Sequence, residues 1–277
     1  MEKMINYNMS PEAMVMISGS SIGTQRKYYD KGYWYKQNSV GYEGRAEYLV
    51  SKVMKYSNID EYVTYENCTI NGVSGCRSKN FIKEKESYIS LQRLYDIYHG
   101  GQLSERIRIF DSISDRINFV KEFVQEYTGL DIQDYLGKLI TLDMLTLNTD
   151  RHFNNIGIIV NPMENTFRPA PVFDNGNSLL SNMALFPFDE PLEQCMENVV
   201  GQPFSVNLER QAMELGYGLK VDYNGLKNAL VNEPYSRALE VLQMQLEKYE
   251  KIISNDKIIM NTNIQNNNFD AQENHDL

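Results

Sequence analysis

Two aspartates and one asparagine near the middle of the chain have the types and the spacing that phosphoryl transfer requires. Asn155 follows Asp150 by five residues, and Asp174 stands directly before an Asn175-Gly176 turn. Transfer of a phosphoryl group to a hydroxyl needs one carboxylate that orients the attacking oxygen and takes its proton. It also needs a carboxylate and an amide oxygen that hold Mg²⁺ on the phosphates. Asp150 is therefore the candidate base, and Asn155 and Asp174 are the candidate metal ligands.

An apolar helix, a polar loop and a β-hairpin are the elements that must position these side chains. The helical run ends near Leu147, and the loop with Asp150 and Asn155 leads into an apolar, strand-like run over residues 156–160. Turn signals follow, and a second short apolar run ends at Asp174. The three side chains are therefore predicted to lie at the mouth of one hairpin, with the Asp-x-x-x-x-Asn spacing that is typical of kinase catalytic loops.

The same loop contains two further polar candidates, Arg151 and His152. Either could stabilise charge near the transferred phosphoryl group, or could simply fix the conformation of the loop. Taken alone, Asp150 could be a loop cap and His152 a core histidine with satisfied hydrogen bonds. The joint occurrence of all the required residue types in the correct order favours the chemical interpretation.

Small residues between two predicted strands, in the segment 13–37, form a candidate phosphate-binding loop. Such residues let backbone N–H groups approach phosphate oxygens closely. A tight strand-to-strand turn is the alternative interpretation, and an isolated Gly-x-x-x-Gly spacing does not decide between the two. The residues of this loop are Ser18, Gly19, Ser20, Ser21 and Gly23.

Lys36 ends an aromatic-rich strand and is the candidate cation for the α- and β-phosphates. In that role a lysine needs a carboxylate partner on a following helix; otherwise it is an outward residue whose stem covers apolar surface. The helix predicted over Glu43–Lys55 offers two carboxylates. We choose Glu47, which lies beside the apolar face, because the helix dipole alone explains Glu43 in the first turn.

The remaining segments predict a β-rich first part and a helical second part. Strands over residues 62–70 and 75–91 are joined by an Asn71-Gly72 turn, and residues 80–82 are a possible adenine-facing segment. After Gly176 the chain is irregular and rich in proline, as expected of a loop across a cleft. Apolar residues at helical spacing predict helices over residues 104–127, 131–147, 208–215 and 225–253.

The composition is that of an ordinary soluble protein and argues against two function classes. The chain has 277 residues, of which 42% are hydrophobic and 23% charged, and a net charge of -10. Direct nucleic-acid binding is not expected, because it rests on clustered Lys and Arg. No apolar run is long enough for a membrane span, and the polar N-terminus has no signal-peptide features, so we expect a cytoplasmic protein. Without metal-binding spacing, Cys68, Cys76 and Cys195 are expected to be reduced thiols.

Together, these segments predict an α+β protein with the bilobal architecture of protein kinases. The first lobe, residues 1–95, is expected to be β-rich with one main helix and to carry the phosphate loop, Lys36 and Glu47. The second lobe, residues 96–255, is expected to be mostly α-helical and to carry the catalytic loop and the metal-binding segment. The polar tail, residues 256–277, is expected to be disordered.

Four motifs resemble those of HipA-like serine/threonine kinases, in particular the compact, CtkA-type members. Residues 20–27, SSIGTQRK, are similar to the phosphate-loop motif Ser-x-x-Gly-x-Gln-x-Lys, which includes Gln25. Residues 148–155, NTDRHFNN, resemble the catalytic loop Asn-x-Asp-x-His-x-x-Asn. Residues 172–176, VFDNG, resemble the magnesium-binding segment, and residues 201–205, GQPFS, a segment that follows it.

The resemblance implies a serine/threonine protein kinase that uses ATP and Mg²⁺, with Gln25 in the nucleotide-binding loop. It also implies autophosphorylation of Ser20, with Ser21 as the neighbouring alternative, and a toxin-like activity. Few residues precede the first predicted strand. The small N-terminal subdomain of full-length HipA toxins is therefore expected to have no counterpart here, and an antitoxin-like partner is an open expectation.

Two alternatives to a protein kinase remain open from the sequence. The motif Asp-Arg-His-x-x-Asn, followed by an Asp before a Gly-containing turn, is also similar to the corresponding motifs of phosphoinositide kinases. A lipid or small-molecule kinase is therefore the first alternative, weakened by the acidic composition and by the lack of a basic amphipathic helix. A catalytically silent pseudokinase is the second, although every ionisable residue that the chemistry requires is present. No sequence signal specifies the protein substrate.

Overall fold

The structure is a computed structural model that describes residues 4–15 and 25–254. The first part of the chain forms a five-stranded sheet. Its strands are β1 (Asn6–Tyr7), β2 (Lys27–Asp30), β3 (Tyr33–Gln37), β4 (Tyr65–Ile70) and β5 (Val73–Lys79). The strand order is β1-β4-β5-β3-β2; β1 and β4 pair in parallel, and the other neighbours pair antiparallel. A short 3₁₀ helix, Pro11–Ala13, precedes β2.

Helix α1 (Glu43–Lys55) has the predicted bounds and packs against β4 and β5. Its apolar side chains are fully buried. The helix lies unusually close to the sheet because Gly44 faces Gly75: a Cβ at Gly44 would come within 2.5 Å of the Gly75 carbonyl carbon. This close approach brings the carboxylate of Glu47 within reach of the lysine on β3.

The hairpin between β4 and β5 has the predicted turn. Asn71 and Gly72 have φ values of 49° and 79°. Both central residues of a type I′ turn need positive φ, and the Asn-Gly pair accommodates this at low cost. The turn therefore follows directly from the two residue types.

The second part contains a three-stranded antiparallel sheet and most of the helices. The strands are β6 (Ser87–Ser90), β7 (Gly157–Asn161) and β8 (Thr166–Pro169), in the order β6-β7-β8. The helices are α2 (Leu91–His99), α3 (Leu103–Ile107), α4 (Ile113–Thr128), α5 (Gln133–Thr146), α6 (Leu192–Glu197), α7 (Leu208–Glu214), α8 (Tyr223–Leu230) and α9 (Arg237–Ile253). Helix α5 is buried along nearly its whole length and delivers the chain to the Asp150 loop.

The single helix predicted over residues 104–127 is wrong, because the chain forms α3 and α4 with a break between them. The break lies where the Ser112 hydroxyl accepts a hydrogen bond from the Asp115 N–H and caps α4. Ser followed three residues later by an acid is a helix-start signal that the apolar periodicity of the segment conceals.

Two further predicted segments are also divided. The helix predicted over residues 225–253 is α8 and α9, separated by a connection that contains Pro234, which has no N–H to continue a helix. The strand predicted over residues 75–91 ends at Lys79 and resumes as β6. Ser90 then caps α2, since its hydroxyl accepts a hydrogen bond from the Arg93 N–H.

The three cysteines are buried free thiols. Within residues 4–15 and 25–254, no helix combines the length and the apolar character that crossing a membrane requires. The boundaries predicted for the two lobes and for the tail stay predictions.

Candidate active site

Lys36 lies between two carboxylates. Its ammonium nitrogen is 2.7 Å from Oε1 of Glu47 and 2.6 Å from Oδ1 of Asp174. Lys36 and Glu47 are buried, at 8% and 1% exposure. The structure thus pairs Lys36 with Glu47, as the helix spacing predicted, and adds Asp174 from the other part of the chain. A nucleotide-binding role for these residues stays a prediction.

Glu43 has a local role at the start of α1. Its Oε1 accepts hydrogen bonds from the N–H and the hydroxyl of Ser39, at 3.1 and 2.8 Å, and from the N–H of Val40 at 2.9 Å. The side chain therefore fixes the turn that leads into the helix. This agrees with the choice of Glu47 as the partner of Lys36.

Asp174 has a left-handed backbone conformation, with φ of 56°. This region is uncommon for residues other than Gly, and its cost of order 1–3 kcal/mol must be offset by neighbouring contacts. Two such contacts are present: the Asp174 N–H donates to the Tyr65 hydroxyl at 3.2 Å, and the Asn175 N–H donates to Oε2 of Glu47 at 2.8 Å. Glu47 therefore holds both the lysine and the turn that presents Asp174.

The charges of this cluster explain the direction of each pKa shift. Burial raises the pKa of Asp174, but the ammonium groups of Lys36 and Lys27 outweigh it and hold that pKa well below its usual range. Burial lowers the pKa of Lys36, but Asp174 and Glu47 outweigh it and raise that pKa well above its usual range. For Glu47, burial is stronger than the opposing effect of Lys36, so its pKa is raised. Lys36 and Asp174 therefore stay ionised at neutral pH.

Lys27 is a further candidate residue of the cavity that Lys36 lines, and it was not among the predicted nucleotide-binding residues. It lies on β2 directly opposite Lys36 on β3, and it lines the same cavity. Within the described part of the chain, its ammonium group makes no ion pair or hydrogen bond. Burial lowers its pKa, against the opposite effect of the Asp174 carboxylate. Its position at the end of the SSIGTQRK segment, facing Lys36 across a strand pair, was the available signal.

The side chain of Asp150 is held by Asn177. Oδ2 of Asp150 accepts a hydrogen bond from Nδ2 of Asn177 at 3.0 Å, and Nε2 of His152 is 3.9 Å from Oδ1. Burial raises the pKa of Asp150, although His152 and the Asn177 hydrogen bond oppose the shift. Asp150 is thus a partly exposed carboxylate with one oxygen fixed. Asn177 was not predicted, because it follows the Asn175-Gly176 turn and belongs to no motif.

Arg151 is fully buried beneath the loop. Its guanidinium donates to both Asp143 oxygens, with the shortest contact 2.9 Å, to the Phe173 carbonyl at 2.8 Å, and to Oδ1 of Asn175. It lines neither of the two cavities that Asp150 and Asp174 face. Of the two predicted alternatives for Arg151, these bonds match the one that fixes the loop.

Asp143 is the buried counter-ion that makes this arrangement possible. Besides Arg151, its Oδ1 accepts from Nδ2 of Asn148 at 2.9 Å, and Oδ1 of Asn148 accepts from the Asp150 N–H at 2.9 Å. An unpaired buried charge would cost several kcal/mol, so the pair must form together. The catalytic loop and the metal-binding segment are therefore tied to one point on α5. An acid within the apolar second half of α5 was the signal for Asp143.

A cavity of about 330 Å³ contains the candidate nucleotide-binding residues. Its polar lining residues include Lys27, Lys36, Asn155 and Asp174. Its apolar lining residues include Phe81, and the predicted adenine-facing residues 80–82 all line the cavity. Phe81 packs with Tyr88 and Phe173, at ring-centroid distances of 6.1 and 5.3 Å. A lining that contains both apolar and cationic side chains suits a planar base that carries phosphates.

The oxygens available for a metal ion are those of Asn155 and Asp174. Nδ2 of Asn155 donates to the Asp150 carbonyl at 3.3 Å, and Oδ1 of Asp174 accepts from Lys36. Neither Oδ1 of Asn155 nor Oδ2 of Asp174 accepts a hydrogen bond from any described residue. The described residues contain no group of three or more His, Cys, Asp or Glu that could hold a metal ion unaided. One carboxylate and one amide oxygen suit Mg²⁺, which completes its coordination with phosphates and water.

The segment over residues 201–205 contacts the catalytic loop through Gln202. Nε2 of Gln202 donates to the Thr149 carbonyl at 2.9 Å. Oε1 of Gln211 on α7 accepts from the N–H groups of Phe204 and Ser205, at 3.2 and 3.3 Å. The segment and the loop together line a second, larger groove. Ser18, Gly19, Ser20, Ser21 and Gly23 of the predicted phosphate loop lie outside the described residues, whereas Gln25 is described and half-buried.

The β-rich first part, the helical second part and the cavity between them define a bilobal, protein-kinase-like α+β fold, which confirms the predicted fold class. Among solved structures, the chain is similar to the crystal structure of the Helicobacter pylori proinflammatory kinase CtkA. The TM-score is 0.62 and the sequence identity 14%, over 91% of this chain and 95% of that chain. The predicted likeness to CtkA-type members is thus confirmed at the level of the fold.

A second solved structure matches less well. It is the Shewanella oneidensis MR-1 toxin-antitoxin complex of HipA, HipB and operator DNA, with a TM-score of 0.42 and 10% identity, over 88% of this chain and 66% of that chain. No protein-family model matches the sequence, and no curated protein matches it. The likeness is therefore carried by the fold of the chain rather than by its overall sequence.

Proposed function

We propose that this protein is an ATP- and Mg²⁺-dependent serine/threonine protein kinase of the HipA-like type. The observation that carries the proposal is the cluster of Lys36, Glu47 and Asp174 on one cavity with Asn155, with the half-exposed carboxylate of Asp150 beside them. These are the groups that phosphoryl transfer to a hydroxyl requires. The fold shared with a solved kinase supports the same conclusion.

In this proposal each residue of the site has one role in phosphoryl transfer. Asp150, with one oxygen held by Asn177, orients the acceptor hydroxyl and takes its proton. Lys36 and Lys27 bind the nucleotide phosphates, and Glu47 holds Lys36 and the Asp174 turn in place. Mg²⁺, held by Asp174 and Asn155, would neutralise charge on the phosphates. Arg151 and Asp143 act below the site by fixing the loop.

The proposal favours a protein acceptor over a lipid. The net charge of -10 opposes approach to an anionic membrane surface, and the acceptor side of Asp150 opens into a wide groove rather than a closed pocket. The two alternatives that the experiment must distinguish from a protein kinase are a lipid or small-molecule kinase and a silent pseudokinase.

The test is incubation with labelled ATP and Mg²⁺ in the presence of a cell extract, followed by separate analysis of protein, lipid and small-molecule fractions. Label is expected on protein serine or threonine. The matched control is Asp150→Asn, which keeps the size of the side chain and is expected to abolish the labelling. Label found only on lipid or small molecules would show that the substrate is not a protein. No label in any fraction would favour the pseudokinase.

Autophosphorylation of Ser20, or of Ser21 beside it, is proposed as the regulation of this activity. A phosphoserine brings about -1.5 to -2 charges. A loop that binds ATP phosphates cannot hold a second anion of this size at the same place, so ATP affinity should fall. Mass spectrometry after incubation with Mg-ATP tests this: phosphate on Ser20 or Ser21 in the wild type, and none in Asp150→Ala, is expected. An unmodified segment in an active enzyme would refute it.

A further inference from the structure

A groove of about 880 Å³ is lined by Asp150 and differs from the cavity of Lys36 and Asp174, called the nucleotide cavity below, which Asp150 does not line. It is lined by the catalytic loop, by residues of α3 and α4 with Arg108 between them, and by the segment over residues 198–206. We propose that this groove, called the acceptor groove below, binds an extended peptide whose Ser or Thr acceptor is flanked by acidic side chains. The inference rests on the proposed kinase activity and names its substrate class.

The charge of the acceptor groove differs from the charge of the whole chain. Asp150 is the only carboxylate among the described residues that line it, whereas Arg108 and Arg116 both do so. The chain as a whole has 37 acidic and 27 basic residues. A basic groove on an acidic protein selects an acidic partner and repels basic ones.

The two arginines differ in how much of their hydrogen-bonding capacity is used. Nε of Arg116 donates to the Phe110 carbonyl at 3.0 Å, and its Nη1 to the Phe204 carbonyl at 2.9 Å. Arg116 is therefore held in place, with Nη2 free of any bond to a described residue. Arg108 is exposed, and its guanidinium contacts no partner within the described part of the chain. Its five donors are available to a carboxylate, for which the planar guanidinium is well shaped.

The rim of the acceptor groove is apolar and exposed. Leu185, Val200 and Val206 line it at 61%, 57% and 71% exposure. Exposed apolar side chains beside polar and charged ones are typical of a surface that binds another protein segment. Carboxamides of Gln102 and Asn198 on the same groove can bond a peptide backbone. An extended peptide presents alternate side chains to two sides, and so can meet the apolar rim and the arginines together.

The test compares two synthetic peptides of equal length, each with one serine. Asp and Glu flank the serine on both sides in the first peptide, and Asn and Gln replace them in the second. With Mg-ATP at low salt, we expect kcat/KM of the wild type to be roughly fivefold or more higher for the acidic peptide. The preference should shrink as salt is added, because exposed charges are screened.

Arg108→Glu should abolish or reverse this preference, and Arg108→Gln should bring the two peptides close to equality. The matched control is Arg210→Glu, since Arg210 is also an exposed arginine and lies on α7 outside the groove. It makes the same charge change and should keep the wild-type preference. A melting curve checks that each variant is folded.

Equal kcat/KM for the two peptides in the wild type overturns the inference, as does an equal effect of Arg108→Glu and Arg210→Glu. If the enzyme phosphorylates itself but neither peptide, fluorescence anisotropy of labelled peptides gives the same comparison, and equal or absent binding overturns the inference. In these cases the proposed function stands, because phosphate still reaches a protein hydroxyl. If wild type and Asp150→Asn both transfer no phosphate to any protein, the proposed function fails, and the inference with it.

Discussion

Helix α1 carries an ionic cluster on each of two faces, and the charge balance of the two clusters differs. The inner cluster consists of Lys36, Glu47 and Asp174, in which one cation is shared by two carboxylates. Oδ2 of Asp174 accepts no hydrogen bond from a described residue, and Lys36 and Asp174 line the nucleotide cavity together with Lys27.

The outer cluster consists of Glu233, Arg45, Tyr48 and Lys52. The Glu233 carboxylate accepts from Nη1 of Arg45 and from the Tyr48 hydroxyl, both at 2.8 Å, and from the Lys52 ammonium. Two cations here share one acid. None of these residues lines the nucleotide cavity or the acceptor groove. The outer cluster joins α1 to the connection between α8 and α9.

This difference shows which of two similar-looking clusters has room for a ligand. The carboxylate of the outer cluster is saturated by side chains of the protein, so the cluster can only hold α1 in place. In the inner cluster, Oδ2 of Asp174 accepts no hydrogen bond from a described residue and is available to Mg²⁺ that binds with the nucleotide. Substitutions in the inner cluster should therefore change binding and turnover, and substitutions in the outer cluster should change stability.

The largest effect is expected outside both clusters, at Asp150. Asp150→Asn should lower turnover by about two orders of magnitude or more, because a positioned base contributes that much, while ATP affinity stays nearly unchanged. Steady-state kinetics and calorimetry with Mg-ATP measure the two quantities. A parallel fall in turnover and in ATP affinity would show that Asp150 binds the nucleotide, as proposed for the residues of the inner cluster.

The next effect compares one carboxylate from each cluster. Asp174→Asn should weaken Mg²⁺-dependent ATP binding by about tenfold or more, because it removes the carboxylate that is proposed to bridge metal and phosphates. Glu233→Gln, the same type of change in the outer cluster, should leave this affinity within about twofold, as expected of a residue outside the site. Calorimetry with and without magnesium measures both. Equal losses in the two variants would contradict the distinction between the clusters.

Lys36 and Glu47 should act as one unit. In a double-mutant cycle, Lys36→Ala and Glu47→Ala should show a coupling free energy of about 0.5–3 kcal/mol in ATP binding, because each loses its partner when the other is removed. Glu43→Ala is the matched control on the same helix and should combine additively with Lys36→Ala. Additive losses for Lys36 and Glu47 would show that the observed ion pair has no energetic role in binding.

The smallest effect is expected in the outer cluster. Glu233→Gln should lower the free energy of unfolding by about 1 kcal/mol at neutral pH, since it replaces charged hydrogen bonds by neutral ones. Burial raises the pKa of Glu233, but the bonds from Lys52, Tyr48 and Arg45 outweigh it and lower that pKa.

The difference between wild type and Glu233→Gln should therefore depend on pH in one direction. It should be complete above the ordinary pKa of a glutamate, about 4.3, and should vanish as pH falls through the lowered value of the folded state. Denaturant unfolding at several pH values measures it. A difference that grows with falling pH would show that Glu233 is not ionised in the folded protein.

The sequence by itself determined the features that depend on neighbouring residues. The bounds of α1 follow from its apolar periodicity, and the hairpin between β4 and β5 follows from the Asn71-Gly72 pair. The choice of Glu47 over Glu43 also followed from position on one helix, and the structure pairs Glu47 with Lys36. The capping serine at 112 and the proline at 234 were local signals as well, but the continuous apolar spacing around them hid the helix breaks.

Only the tertiary structure decided which distant residues meet. Lys36 and Asp174 are separated by 138 residues, and Arg45 and Glu233 by 188. The burial of Arg151 on Asp143, the bond from Asn177 to Asp150, and the place of Lys27 beside Lys36 depend on the packing of α5, the catalytic loop and the first sheet. Spacing along a chain fixes which face of one element a side chain occupies, whereas the packing of several elements fixes what that face meets. For this reason the sequence predicted the candidate site residues, and the fold identified the residues that contact them.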